Sequence, residues 1–239
     1  MVIDANEMHY TALNAAVRQC GEDAEIFGCV GQRYLGAGLA GRHIRVHGTP
    51  GNALGAYLNG ADIRVDGNVQ EATGDTMNGG VIEVHGSAGD ATGYAMRGGK
   101  IFIEGDAGYR CGIHMKAFRS QRPAIVIGGR AGSFLGEYQA GGIIIVLGNN
   151  LHGKPIVGNF CGTGMHGGEI LLRCEALDAA LPAQVKAERI QGPGSEEAAA
   201  LVKEWCARFG QDEAPYLSAV YCRLTPNAEN PYRQMYTPN

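Results

Sequence analysis

Residues 48–104 read GTPGNALGAYLNGADIRVD, GNVQEATGDTMNGGVIEVH and GSAGDATGYAMRGGKIFIE, three successive blocks of 19 residues that begin at Gly48, Gly67 and Gly86. Each block has glycine at its first, eighth and thirteenth places, and an isoleucine follows three places after the last of these. Seven such blocks can be aligned between Cys29 and Arg173. A repeat of this length indicates stacked supersecondary units, none of which buries its apolar face alone.

Four columns fix the register, and the first holds the eighth-place glycines Gly36, Gly55, Gly74, Gly93, Gly112, Gly136 and Gly162. An aliphatic column near the end of each block holds Ile44, Ile63, Ile82, Ile101, Ile125, Ile144 and Ile170. A second, two residues later, holds Val46, Val65, Val84, Ile103, Ile127, Val146 and Leu172. A column of Leu and Met precedes the thirteenth place at Leu39, Leu58, Met77, Met96, Met115 and Met165, with Gln139 in the sixth block. β-Branched residues at a spacing of two predict strands with one face inward.

The length of the block decides between repeat architectures. Nineteen residues are too few for a four-stranded propeller blade, and no helical stretch separates the strands as in a leucine-rich repeat. One coil of a parallel β-solenoid fits, because each strand then pairs with its equivalent in the next coil about 4.8 Å away. We therefore predict an all-β fold, a single-stranded parallel β-helix of about seven coils over residues 28–174.

Two arms flank the repeats, over residues 1–27 and 175–239. In the first, helical spacing of Leu13, Val17 and Cys20 predicts a short helix that caps the open end of the solenoid. In the second, we predict an irregular segment over 175–194 and a helix over 195–209 with Ser195 as N-cap. The last 29 residues, rich in Pro and Tyr, predict an extended tail lying on a surface.

Two blocks carry insertions. The fifth has about five extra residues near Lys116–Pro123, and the seventh has about seven near Asn149–Val157. Insertions in a solenoid project as loops and are natural contact points for ligands or partners.

The residue between the two aliphatic columns points outward and changes character along the chain. It is Arg45, Arg64, Glu83, Phe102, Val126, Ile145 and Leu171 in successive blocks. The apolar half of this column must be covered, either by the helix that contains Trp205 or by another protein. The sequence leaves both alternatives open.

Bulk composition excludes several classes of function. A net charge of −4 without basic runs argues against nucleic-acid binding. The longest apolar run, Gly141–Gly148, is too short to span a bilayer, and the acidic N-terminus lacks a secretory leader. We therefore expect a cytoplasmic protein. The seven cysteines include no CxxC pair, and we expect reduced, buried thiols, with Cys111 and Cys161 in an inward column.

Candidate chemistry is sparse. The column His47, Asp66, His85 and Glu104 could present zinc ligands on adjacent coils, but a solvated ladder of charges explains it better. His114 and His166 fall at turns without an evident nucleophile or carboxylate partner. No glycine loop leads into Lys-Ser/Thr, so the glycines predict corners instead of a phosphate site. We assign no catalytic, cofactor-binding or metal-binding residue.

Several ordered segments resemble a known family. They are Gly31–Gly36, Gly48–Gly55, Gly93–Ile101, Gly136–Gly142 and Gly162–Gly168, and together they resemble the C-terminal GXGXG domain of the glutamate synthase large subunit over about residues 28–174. The Met8-His9-Tyr10 opening and the C-terminal arm are similar to the separately encoded, archaeal-type version. Similar chains serve in N-methylglutamate synthase, and the scaffold subunit of formylmethanofuran dehydrogenase is a more distant relative.

The resemblance implies a right-handed β-helix that acts as a non-catalytic scaffold in a hetero-oligomer. One implied partner is a glutaminase (amidotransferase) subunit with an N-terminal cysteine. The other is a synthase subunit that carries FMN and an iron–sulfur cluster and forms glutamate from 2-oxoglutarate. None of those functional residues maps onto this chain, so the resemblance implies no cofactor on the chain itself.

Three hypotheses follow. The first is a scaffold subunit of a cytoplasmic complex of the glutamate synthase type, supporting formation of glutamate or N-methylglutamate. The second is the corresponding scaffold of formylmethanofuran dehydrogenase. The third is a stand-alone β-helix enzyme on a polysaccharide, which would need aromatic platforms and paired carboxylates along a groove. The substrate of the complex, its stoichiometry and the face that meets each partner stay open.

Overall fold

The computed structural model describes residues 1–21, 23–177 and 179–227. Its helices are α1 (Tyr10–Cys20), α2 (Glu196–Phe209) and α3 (Ala214–Leu217). Its strands are β1 (Val2–Asp4), β2 (Ala24–Val30), β3 (His43–Thr49), β4 (Asn59–Asp66), β5 (Gly79–Val84), β6 (Lys100–Ile103), β7 (Ala124–Ile127), β8 (Ala140–Val146), β9 (Gly167–Leu172), β10 (Val185–Gln191) and β11 (Val220–Pro226). Within the described part of the chain, no helix combines the length and apolarity needed to cross a membrane.

The strands form one sheet of 11 strands in which β1 to β9 follow chain order and pair in parallel. Ile44 pairs with Ile63, Ile63 with Ile82, and the column continues in this way to Ile170. Both aliphatic columns are at most 2% exposed. The predicted parallel β-solenoid, with its aliphatic columns facing the interior, is confirmed.

The solenoid is one coil longer than predicted. Strand β2 lies largely in the segment assigned to the N-terminal arm, yet it pairs in register with β3, placing Ala24 beside Ile44 and Ile26 beside Val46. These two side chains continue the inward columns, and Gly21 precedes Ala24 by three residues as Gly41 precedes Ile44, although this coil has no eighth-place glycine. The solenoid thus has about eight turns, and the division of the chain into three parts stays a prediction.

A tight corner recurs in every repeat and explains the eighth-place glycines. In the coil around Gly55, the residues Ala53, Gly55 and Tyr57 all have positive φ, at 61°, 62° and 58°. Their N–H groups alternate in direction: Ala53 and Tyr57 donate to carbonyls of the following coil, whereas Gly55 donates to Leu35 in the preceding coil at 2.8 Å. A Cβ on Gly55 would lie 2.7 Å from Ile82 Cδ1, so only glycine fits the inner position.

Helix α1 closes the first corner with side-chain donors. In interior coils, the corner carbonyls accept N–H groups from the preceding coil. The first repeat corner lacks such a neighbour, and two side chains of α1 replace it: Asn14 Nδ2 donates to Arg33 O at 2.9 Å and Arg18 Nη2 to Ala37 O at 3.3 Å. Leu13 and Val17 are buried in the core. The predicted helical cap therefore also satisfies backbone acceptors.

The C-terminal arm is more ordered than predicted. The irregular segment expected over 175–194 contains β10, which pairs antiparallel with β11. The extended tail expected over the last 29 residues contains α3 and β11 instead, and β11 pairs antiparallel with β9. These two predictions are wrong because the last solenoid strand offers an unpaired edge, which β11 covers while it buries Leu224. The remaining tail positions, residues 228–239, lie outside the described residues.

Helix α2 covers the apolar half of the outer column, which settles the alternative left open by the sequence. Phe102, Val126, Ile145 and Leu171 form one buried cluster with the α2 side chains Ala198, Leu201, Val202, Trp205, Cys206 and Phe209. Trp205 Nε1 donates to the carbonyl of Ile103 at 2.9 Å. The N-cap is Ser195, whose Oγ accepts from Ala198 N at 3.1 Å. The chain therefore supplies its own cover for this face.

Candidate functional site

The predicted column of charges forms a network of ion pairs on the outer sheet face. His47 lies between two carboxylates, with Nε2 at 2.8 Å from Glu25 Oε1 and Nδ1 at 3.1 Å from Asp66 Oδ2. His85 lies 2.5 Å from Glu83 Oε1 and 3.7 Å from Glu104 Oε2. Among residues 1–21, 23–177 and 179–227, no three His, Cys, Asp or Glu side chains are grouped as metal ligands.

Arginines neutralise the carboxylates of this network. Asp66 accepts from Arg45 at 2.7 Å and from Arg64 at 3.1 Å. Burial by itself would raise the pKa of Asp66, but these hydrogen bonds and charges outweigh it and hold the pKa below its ordinary value. The lowered pKa keeps Asp66 ionised between the two arginines.

Glu83 is the point at which the network meets α2. Its carboxylate accepts from Arg64 at 3.1 Å, from Arg208 of α2 at 2.7 Å, and contacts His85. Burial acts to raise the pKa of Glu83, but the hydrogen bonds from His85 and Arg208 prevail and lower it. Arg208 also pairs with Glu204 one helical turn earlier at 2.7 Å. These contacts fasten the end of α2 to the solenoid.

Five of the seven cysteines are buried, and Cys20 and Cys174 are partly exposed. Cys111 and Cys161 are fully buried, as the inward column predicted. Burial raises the pKa of each of these thiols to about 12, and it raises that of Cys29 to about 11. A thiolate is the nucleophilic form of cysteine, so these neutral thiols are poor nucleophiles at neutral pH.

A second surface, which the sequence analysis did not single out, lies at the corner of the coils. Two ridges of side chains project there, from the positions two residues before and two residues after the eighth-place glycine. The first ridge carries Phe134 and Phe160, whose ring centroids are 4.9 Å apart, with Tyr109 packed edge-on against Phe134 at 5.2 Å. Arg110 lies over the Tyr109 ring at 4.9 Å and pairs with Glu137 at 2.9 Å.

The second ridge contains His114 and Tyr138, whose rings are stacked at 5.2 Å with 9° between their planes. Tyr94 meets His114 edge-on at 6.0 Å. We call these two ridges together the aromatic corner, defined by Tyr94, Tyr109, His114, Phe134, Tyr138 and Phe160. Four of its rings are partly exposed: Tyr94 at 40%, Tyr109 at 37%, Tyr138 at 36% and Phe160 at 54%.

A cleft of about 500 Å³ opens within the aromatic corner, and we call it the basic cleft. Its lining consists of Tyr94, Ala95, Arg97, His114, Lys116, Tyr138, Ala140 and His166. Arg97 Nη1 donates to the His114 carbonyl at 3.2 Å, and His166 Nδ1 lies 3.1 Å from the Gly164 carbonyl. In the described part of the chain, no carboxylate lines this cleft. Exposed aromatic rings beside cations suit the binding of an anionic partner.

The two histidines predicted at turns therefore meet in one cleft, which their sequence separation conceals. The aromatic ridges were also readable in the repeat register, since Phe134 and Phe160 occupy one column and His114 and Tyr138 another. Alanine fills the same columns in several earlier coils, at Ala53, Ala72, Ala91 and Ala95. These alanines interrupt the aromatic columns, so the ridges were not recognised in the sequence.

Comparisons with known proteins agree with this architecture. An uncharacterized protein of Methanocaldococcus jannaschii is 40% identical over 255 aligned positions, covering 100% of this chain and 97% of that protein. The solved formyltransferase/hydrolase complex of Methylorubrum extorquens, in complex with methylofuran, contains a chain of similar fold. The two chains superpose with a TM-score of 0.63 and are 22% identical, and the match covers 92% of this chain and 89% of that chain. The family model described as the GXGXG motif matches residues 4–227, and the chain therefore belongs to the GXGXG family.

Proposed function

We propose that the protein is a non-catalytic scaffold subunit of a glutamate-synthase-type complex in the cytoplasm. It would hold a glutamine amidotransferase subunit and an FMN/iron–sulfur synthase subunit in register, supporting formation of glutamate or N-methylglutamate. Membership of the GXGXG family supports this proposal, because the GXGXG domain of glutamate synthase accompanies those two catalytic units.

The observation that carries the proposal is the contrast between a self-covered apolar face and an uncovered aromatic corner. The chain buries Phe102, Val126, Ile145 and Leu171 under its own helix, yet it leaves four aromatic rings of the corner between 36% and 54% exposed. Contiguous exposed aromatic surface on a rigid framework is typical of a protein–protein interface. A scaffold needs such a surface and no reactive centre of its own.

Purification at endogenous level tests the proposal. The tagged full chain, expressed from its own locus, should co-purify with one amidotransferase chain and one flavoprotein chain, identified by mass spectrometry. The complex should show flavin and iron–sulfur absorbance and should produce glutamate from glutamine and 2-oxoglutarate when a two-electron donor is supplied. A chain that elutes alone under these conditions would contradict a scaffold role.

A second candidate is a scaffold in a formyl-group-processing complex. The structural similarity to a chain of the Methylorubrum extorquens formyltransferase/hydrolase complex favours it, since the match spans nearly the full length of both chains. The same purification separates the candidates: formyltransferase and hydrolase chains in place of the flavoprotein support the second, as does the molybdenum or tungsten protein of a formylmethanofuran dehydrogenase.

A further inference from the structure

We propose that the aromatic corner is the surface on which a partner protein docks, and that the basic cleft receives an acidic segment of that partner. This inference rests on the proposed function, because it names the face through which the chain joins its complex. It assigns a role to residues that the repeat itself does not require, since alanine occupies the equivalent corner positions in other coils.

The composition of the corner is that of an interface. Tyr, Phe and Arg are enriched in protein interfaces and among the residues that contribute most to binding. Here Tyr109, Phe134 and Phe160 form one ridge beside Arg110, and the neighbouring ridge adds Tyr138. The rings are held in place by stacking on one another, so little rotamer entropy is lost when a partner binds.

The charge of the cleft specifies the chemistry of the occupant. Arg97 and Lys116 line it together with His114 and His166, and no carboxylate among the described residues joins them. Several arginines elsewhere on this chain do have carboxylate partners: Arg45 pairs with Asp66, and Arg110 with Glu137. The cleft thus presents positive charge that the carboxylates of its own lining do not neutralise, and aspartate or glutamate side chains of a partner complement it.

The insertion in the fifth block begins at the same surface. Lys116 begins this insertion and lines the cleft, while Phe118 is 50% exposed further along it. The Arg119 guanidinium lies over the Phe118 ring at 5.1 Å. The predicted contact loop therefore contributes one cation to the cleft, Lys116, and carries an exposed ring and a further cation of its own.

The arrangement of the rings favours a protein over a polysaccharide. A sugar ring stacks on a free aromatic face, but His114 and Tyr138 are stacked on each other and Tyr94 meets His114 edge-on. Each ridge also runs over several coils, which are about 4.8 Å apart, so the surface extends over roughly 10 Å or more along the solenoid axis. A surface of that length exceeds the reach of one small carboxylate.

The test uses the full chain in its native cells, with the variants Tyr94→Ala and Lys116→Gln. Matched controls are Phe27→Ala, a ring on the outer sheet face that is 41% exposed against 40% for Tyr94, and Lys186→Gln on the exposed edge strand β10. We expect each corner variant to recover about tenfold less of the amidotransferase or flavoprotein partner, while the controls recover it fully. Circular dichroism of each purified variant confirms that it is folded.

A zero-length carbodiimide cross-linker tests the acidic segment directly, because it joins an amine to a carboxylate only when the two are in contact. The expected product is an amide between the Lys116 amine and an Asp or Glu of the partner, located by mass spectrometry and lost in Lys116→Gln. Partner recovery should also fall as salt is raised, since exposed ion pairs are screened.

The remaining outcomes separate the two proposals. If the wild-type chain captures the partners and all four variants do so equally, the docking inference is overturned while the scaffold role stands. If the wild-type chain elutes alone, the scaffold role itself fails. The docking inference is also overturned if Tyr94→Ala abolishes binding of a polysaccharide, of 2-oxoglutarate or of a second copy of this chain while leaving partner recovery intact.

Discussion

Two apolar surfaces lie on the outside of the same solenoid, and the chain treats them differently. On the sheet face, Phe102 and its neighbours are 0% exposed because α2 lies across them. At the corner, Phe160 and Tyr94 are 54% and 40% exposed. The sheet surface is one column of the 19-residue repeat and the corner consists of residues on either side of the eighth-place glycine, so the same repeat supports an internal contact on its strand and an open face at its corner.

The comparison shows that the repeat determines the direction of each side chain, whereas the type of the outward residue determines whether it contacts solvent or α2. The outward sheet column begins with Arg45 and Arg64, which form ion pairs in solvent, and it becomes apolar only where α2 crosses. The change falls at Glu83, which bonds to Arg64 on one side and to Arg208 of α2 on the other. The corner has no such junction with a covering helix among the described residues, and its rings are available to another molecule.

Removal of the Trp205 ring should cause the largest loss of stability, because this ring helps α2 to cover the apolar sheet face. Trp205 is 1% exposed and its Nε1 donates to Ile103 O. Trp205→Ala should lower the free energy of unfolding by about 3–5 kcal/mol through the cavity it leaves. Urea denaturation measures the change, and binding of a hydrophobic dye should reveal the uncovered sheet face. Trp205→Phe keeps most of the ring and should lose less; equal losses would argue against packing as the cause.

The Glu83 junction should give a smaller and pH-dependent effect. Glu83→Gln removes the charge that joins Arg64 to Arg208 and leaves each arginine with one carboxylate, Asp66 or Glu204, so about 1.5–3 kcal/mol should be lost at pH 7. Because the folded pKa of Glu83 is lowered, its stabilisation is full above its unfolded pKa of about 4.3 and is lost as the pH falls through the folded value. The difference between wild type and variant should therefore shrink below about pH 4.

Denaturation midpoints of both proteins across the acid range measure this difference. Glu188→Gln, at an exposed position of β10, is the matched control and should change stability little at any pH. A constant difference between wild type and Glu83→Gln down to about pH 3 would show that the Glu83 charge contributes nothing.

The solenoid core and the helix that covers the sheet face could largely be predicted from sequence, whereas the aromatic corner could not. Inward columns such as that from Ile44 to Ile170 repeat without interruption, and the end signals of α2 at Ser195 and Gly210 are local. The surface on which α2 packs is not encoded locally, because the apolar side chains of the helix must find partners far earlier in the chain. Trp205, for example, donates its hydrogen bond to the carbonyl of Ile103. The strands β10 and β11 were missed for the same reason, since their pairing with β9 is decided by the end of the solenoid.

The corner backbone offers a third test, because residues there hold positive φ whether or not they carry a ring. Ala53 has a φ of 61° and is 7% exposed, whereas Ala56, three residues later and 4% exposed, is not among the positive-φ residues. Left-handed backbone costs an alanine about 1–2 kcal/mol, which glycine avoids. Ala53→Gly should therefore be more stable than Ala56→Gly by about 1–2 kcal/mol, and urea midpoints give the comparison. A reversed order would show that the corner is not strained.

Tyr94→Ala should have the smallest effect on stability, and this result would distinguish a docking surface from part of the core. Tyr94→Ala removes a ring that is 40% exposed and whose described ring contact is an edge-on approach to His114. The free energy of unfolding of the isolated chain should change by no more than about 0.5 kcal/mol, as for surface positions in general. If urea denaturation instead gives a loss comparable with that of Trp205→Ala, the corner rings serve folding, and the contrast between a covered face and an open one disappears. A near-zero change in stability, combined with lost partner recovery, would show that the rings serve binding, because the solenoid folds without them.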